Sequence, residues 1–113
     1  MPAPTPLSPL DSLQKLIGTP RDGALLRFSL GLEFSKVKDF PKAIEHLRHA
    51  VALDQGYSAA WRALGKALEA AGDDAAALAA YRDGIAAAQK KGDRQAEKEM
   101  TVFARRLEKK SAA

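Results

Sequence analysis

Slid against itself by 34 residues, this chain matches its own sequence, and that offset limits its possible folds more than any other feature. Leu30-Gly31 falls on Leu64-Gly65, Asp39 on Asp73, Ala43 on Ala77, Arg48 on Arg82 and Ala52 on Ala86. Phe34/Leu68, Ile44/Leu78, Leu47/Tyr81 and Val51/Ile85 keep apolar character between the copies. A fixed period of this size marks stacked supersecondary units, none of which can bury its apolar face alone. Composition identifies the secondary structure of those units. There are 23 alanines against nine Val, Ile and Thr together, and alanine loses no side-chain freedom in a helix whereas β-branched residues do. An all-β fold is excluded, and 113 residues suffice for one domain.

Each copy divides into two helices at a turn. Asp39 can cap a helix that carries Pro41 in its first turn, where a missing N–H does no harm. In the second copy Gly72 closes one helix and Asp73 or Asp74 opens the next. The pattern predicts helices near residues 22–36, 40–53, 58–71, 74–90 and 94–110, with short connections that make neighbours antiparallel. Residues 1–9 hold four prolines and are expected to form a disordered arm. Leu10, Leu13, Leu16 and Ile17 predict a short extension helix within 10–19, closed by Gly18-Thr19-Pro20. Residues 20–113 are expected to form a single domain of two repeats, 24–57 and 58–91, and a capping helix over 92–110. That last helix presents Ala96, Met100, Phe103, Ala104 and Leu107 as one apolar stripe, which would close the end of the stack.

The second copy reads Trp61-x2-Leu64-Gly65-x2-Leu68 and then Ala77-x3-Tyr81, and the first reads Arg27-x2-Leu30-Gly31-x2-Phe34 and then Ala43-x3-Leu47-x2-Ala50. Residues 24–91 thereby resemble the tetratricopeptide repeat (TPR) family. Arg27 stands where the family prefers Trp, Gly84 where alanine is usual, and Gln55 and Gln89 where proline often separates units. The resemblance implies an all-α, TPR-type helical hairpin solenoid, a right-handed superhelix, here with an N-terminal extension helix and a C-terminal capping helix. The pattern also has a physical reason. Gly31, Gly65, Ala43 and Ala77 would sit at the closest helix approaches, with Leu30, Phe34, Leu47, Trp61, Leu64 and Tyr81 filling the space beside them.

Nothing in the chain suggests catalysis. The absence of cysteine removes disulfides, thiol nucleophiles, iron–sulfur clusters and cysteine-ligated zinc. His46 and His49 stand three apart on one helix, but no further ligand completes a metal set, and they are expected to be surface histidines. The acids Asp73-Asp74 read as capping groups, and the glycines do not cluster into a phosphate loop. No enzyme, cofactor or metal is therefore expected. The opening residues lack a basic n-region and an unbroken apolar h-region, and no stretch approaches the ~20 apolar residues of a membrane span, so a cytoplasmic location is expected. The net charge of +4 arises between Lys90 and Lys110, where eight Lys/Arg meet four Asp/Glu. With acids interleaved and no aromatic stacking platform, that segment reads as a solvated cap, and neither nucleic acid nor membrane is expected as a partner.

The resemblance places a ligand groove on the first helix of each pair. Its groove-facing residues here are Leu25, Phe28, Ser29, Leu32, Ser35 and Lys36, then Ala59, Arg62, Ala63, Lys66, Glu69 and Ala70. Periodicity adds a second point. The helix near 22–36 already has a core stripe in Leu26, Leu30, Phe34 and Val37, so Leu25, Phe28 and Leu32 form a second apolar stripe. The corresponding places in the next copy are Ala59, Arg62 and Lys66, and the groove is expected to run from apolar to cationic. A protein or peptide partner with an apolar anchor and an acidic group or C-terminal carboxylate would complement it. Two alternatives stay open. The extension helix could cover the apolar stripe, or exposed apolar helix faces could form a homodimer. RNA or membrane attachment through the basic end is a weaker third reading.

Overall fold

The computed structural model describes residues 8–112, so residues 1–7 of the expected arm lie outside the described residues. Ser8 and Pro9, its last two residues, already start a helix. The Ser8 hydroxyl accepts the Asp11 N–H at 3.1 Å, and Pro9 occupies a first-turn position that needs no donor. The described helices are α1 (Pro9–Gln14), α2 (Ala24–Lys36), α3 (Phe40–Leu53), α4 (Ser58–Ala70), α5 (Asp74–Lys91) and α6 (Arg94–Ala112).

Short polar side chains set most of the helix starts. Asp39, Asp73 and Asp93 accept the N–H groups of Lys42, Ala76 and Ala96 at 3.3, 3.0 and 3.2 Å, each serving one of the donors that an α-helix leaves unpaired. Gly92, at φ 75°, ends α5 in the left-handed conformation that glycine adopts without steric cost.

The 34-residue echo recurs in the packing. α2 packs on α3, and α4 on α5, at glycines in equivalent places. A β-carbon on Gly31 would overlap the Leu47 side chain, and one on Gly65 would overlap the Tyr81 ring. Leu30, Leu47, Leu64, Tyr81 and Met100 are the largest fully buried side chains. Gly84, where alanine is usual in the family, lets α5 meet two neighbours at once. A β-carbon there would lie 2.7 Å from the Trp61 Cβ and would overlap the Met100 sulfur of α6.

The helices form two rows. α2, α4 and α6 touch in sequence along the inner row; α3 and α5 make up the outer row, and among the described residues their Cα atoms stay more than 8 Å apart. Contact at the inner side and separation at the outer side curve the stack. Its extents are 60 × 30 × 21 Å.

One expectation is overturned here. His46 is not a surface residue: it is buried, with its ring parallel to that of Phe34 at a 5.3 Å centroid separation. The reason is helical spacing, because His46 falls on the same face of α3 as Ala43, Leu47 and Ala50, all buried against α2 or α4. Arg27 takes up its polar edge. One guanidinium nitrogen lies 3.1 Å from His46 Nδ1, while the Nε and the other nitrogen donate to the Asp22 carboxylate at 2.9 and 3.0 Å. His49 is exposed.

Candidate functional site

The inner row leaves a cleft of about 400 Å³ between α2 and α4. From α2 come Phe28, Leu32 and Ser35, one to two turns apart on one face, and from α4 come Ala59, Arg62, Ala63 and Lys66. Phe40 at the start of α3 and Glu99 of α6 complete its lining with Ala67. One wall is therefore apolar and the other cationic.

The apolar wall is partly held in place. The Phe28 ring lies 4.9 Å from the Tyr57 ring at a 45° tilt, which ties it to the connection between α3 and α4. Leu32 is 38% exposed and Leu25 69% exposed, so both remain open to solvent. The leucines of α1 and of the turn after it, Leu10, Leu13 and Leu16, instead pack partly buried against the core.

The cationic wall is bound up with α6. Arg62 donates to the Glu99 carboxylate, which also accepts from Gln95 at 3.1 Å. The bonds from Gln95 and Arg62, together with the charges of Arg62 and Lys66, hold the Glu99 carboxyl below the ordinary carboxylate range. The Lys66 ammonium lies over the Phe103 ring, 4.7 Å from its centroid. Lys66 makes no ion pair among the described residues.

Seven of the twelve residues expected to face a ligand thus line the cleft: Phe28, Leu32, Ser35, Ala59, Arg62, Ala63 and Lys66. Five lie outside its lining, the exposed Ala70 among them. Leu25 projects into solvent one turn before Phe28, Ser29 is half-buried, and Lys36 pairs with Glu33 at 3.0 Å. Glu69 serves the fold: it accepts from the Tyr81 hydroxyl and pairs with Arg106 of α6 at 2.7 Å. Burial and the Glu69 carboxylate push the Tyr81 hydroxyl far above its ordinary value, so it remains a donor.

Glu99 and Phe103 are the site residues that sequence reasoning missed. The repeat register breaks before α6, and with it the means of aligning that helix to the groove. The signal present was the i, i+4, i+8 row Gln95–Glu99–Phe103 along one face.

The basic end uses part of its charge internally: Arg106 pairs with Glu69, and Lys110 with Asp74 at 2.8 Å. Among the described residues no cluster of three potential metal ligands occurs, and no helix is long and apolar enough to cross a membrane.

No family model matches the sequence. A Pseudomonas aeruginosa protein described as TPR repeat-containing is 48% identical over 100 residues, which span 88% of this chain and 95% of that protein. Among solved structures, a Bordetella parapertussis protein determined in solution superimposes with a TM-score of 0.81 at 41% identity, covering 95% of this chain and 93% of the other. The crystal structure of MamA superimposes with a TM-score of 0.66 at 25% identity, covering 91% and 68%.

Proposed function

The chain belongs to the tetratricopeptide-repeat family, and from that premise we propose that it is a non-catalytic binding module whose inner cleft holds a segment of a partner protein. One observation carries this reading: the fold sets an apolar wall, Phe28 and Leu32, opposite a cationic wall, Arg62 and Lys66, across one cleft. The partner segment brings an apolar anchor to the first wall and a carboxylate, from a side chain or a chain terminus, to the second. Lys66 is the primary anion contact. Arg62 already holds Glu99, and an incoming carboxylate shares or displaces that pair.

Peptides selected from a displayed library ending in free carboxylates test the reading directly. Arg62→Glu with Lys66→Glu should weaken the selected peptides by about a hundredfold, the scale of two lost charge-assisted contacts, while helicity is unchanged. Unaltered affinity would contradict the assignment. Glu99→Gln should act in the opposite direction and tighten binding by releasing Arg62.

A homodimer is a second reading, favoured by the exposure of Leu25 and Leu32 on one stripe of α2. Sedimentation at micromolar concentration separates the two readings, because a concentration-independent monomer removes the dimer.

A further inference from the structure

The outer row has a hollow of its own, independent of the inner cleft. Because the backbones of α3 and α5 stand apart, the wedge between them is open and measures about 930 Å³. Val51 and Leu64, both buried, form its floor with the half-buried Trp61 indole. Its sides are alanine at positions 52, 86 and 87, where longer side chains would fill the gap. The connection between α3 and α4 lines one end. That connection is tied down by the Trp61 indole N–H, which donates to the Gln55 carbonyl at 2.9 Å, and by Lys91, which donates to the Gly56 carbonyl at 3.4 Å. Along α5 the hollow extends from Asp83 to Lys91, roughly 12 Å at the rise of an α-helix. A wedge of that length, crossed at one end by the chain, suits a short apolar body better than a peptide running through it. Its size and mostly apolar lining are those of a small-molecule site.

Charge narrows the occupant. Arg48, Lys90 and Lys91 line the rim with Asp54 and Asp83. Asp54 is committed to its own turn, where it accepts the Gly56 N–H at 3.1 Å. None of the three cations meets a carboxylate among the described residues, whereas Arg27, Arg62, Arg82 and Arg106 each do. We propose that this wedge is a second binding site, for a small amphiphilic anion with its alkyl or aryl body on Trp61, Ala86 and Ala87 and its carboxylate at Arg48 and Lys90.

Trp61 is the only tryptophan of the chain, so its emission reports on the wedge. Decanoate, kept below its micelle concentration, is titrated into the full chain, with decanol as the neutral counterpart. The expected result is a saturable emission change for decanoate and binding about tenfold weaker for decanol, the difference made by one charge-assisted contact. Ala86→Phe, which fills the wedge, and separately Arg48→Glu with Lys90→Glu, should each weaken decanoate by at least about tenfold at unchanged far-UV circular dichroism. Lys66→Glu in the inner cleft should leave the titration as it was, so failure here is distinct from failure of the peptide reading. Equal binding of decanol and decanoate, undiminished binding to Ala86→Phe or to the charge-reversed variant, an unsaturable response, or loss of helicity on adding decanoate would each overturn the proposal.

Discussion

Three side chains, Asp22, Arg27 and His46, tie the start of α2 to the middle of α3, and Asp22 also accepts the Gly18 N–H at 2.9 Å in the turn after α1. The arrangement needs a neutral imidazole, since Arg27 can only donate to His46 Nδ1. Burial first, and the Arg27 charge second, hold the His46 pKa below its ordinary 6.5; His49 adds to the lowering, while Glu45 and Asp22 oppose it. The sign of the pH dependence follows. The unfolded chain binds the proton more readily, so stability is fully present above 6.5 and declines as pH falls through the unfolded value toward the folded one. The urea midpoint should fall between about pH 7.5 and about pH 5.5, and His46→Gln, which keeps an acceptor but gains no proton, should flatten that fall. An equal slope in His46→Gln would assign the dependence elsewhere, and His49→Gln serves as the control. The core spacing of Ala43, Leu47 and Ala50, which His46 shares, carried the signal for its burial that the expectation of a surface histidine overlooked. Its partnership with Arg27, 19 residues away, is set by how α2 and α3 pack.

The turns between paired helices show where the two copies differ as elements. Gly72 takes φ 85° between α4 and α5, and Lys38, its counterpart 34 residues earlier, takes φ 61° between α2 and α3. The left-handed conformation is free of steric cost only for glycine, so the first turn is the strained one. Lys38→Gly should therefore stabilise the protein by about 0.5–1 kcal/mol in a denaturant titration. A loss of stability would mean that the Lys38 side chain contributes more than its backbone costs. α6 teaches a different lesson. Its apolar stripe was readable from periodicity alone, but the placing of Glu99 beside Arg62 and of Phe103 beneath Lys66 depends on the angle at which the helix crosses α4, which periodicity does not specify.

In a molecule 60 Å long and 21 Å thick, helices meet mainly their chain neighbours, and stability is close to a sum over adjacent interfaces. The two ends are unequal in that sum. α1 buries no residue fully, whereas α6 buries Ala96, Met100, Ala104 and Leu107. Burial of a Met or Leu side chain contributes about 1.5–3 kcal/mol, so α6 carries several kcal/mol of a total that for single domains is only about 5–15 kcal/mol. Ending the chain at Gly92 should abolish cooperative thermal unfolding, while removing residues 1–21 should lower the melting temperature by only a few degrees. Calorimetry of the two truncations checks this, and a cooperative transition in the chain lacking α6 would refute it.

What the sequence determined alone was local and periodic: helices from alanine content and capping aspartates, their pairing from the 34-residue repeat, and the close approaches from Gly31 and Gly65. Tertiary structure decided what depends on distances between elements far apart in the chain. It brought Phe28, Leu32, Arg62 and Lys66 to one cleft while leaving Leu25 in solvent, and it gave Arg62 an acid 37 residues away. It also opened the wedge over Trp61. Periodicity specifies which face of a helix is apolar, but the angle and spacing at which such faces meet come from side-chain packing along the whole stack.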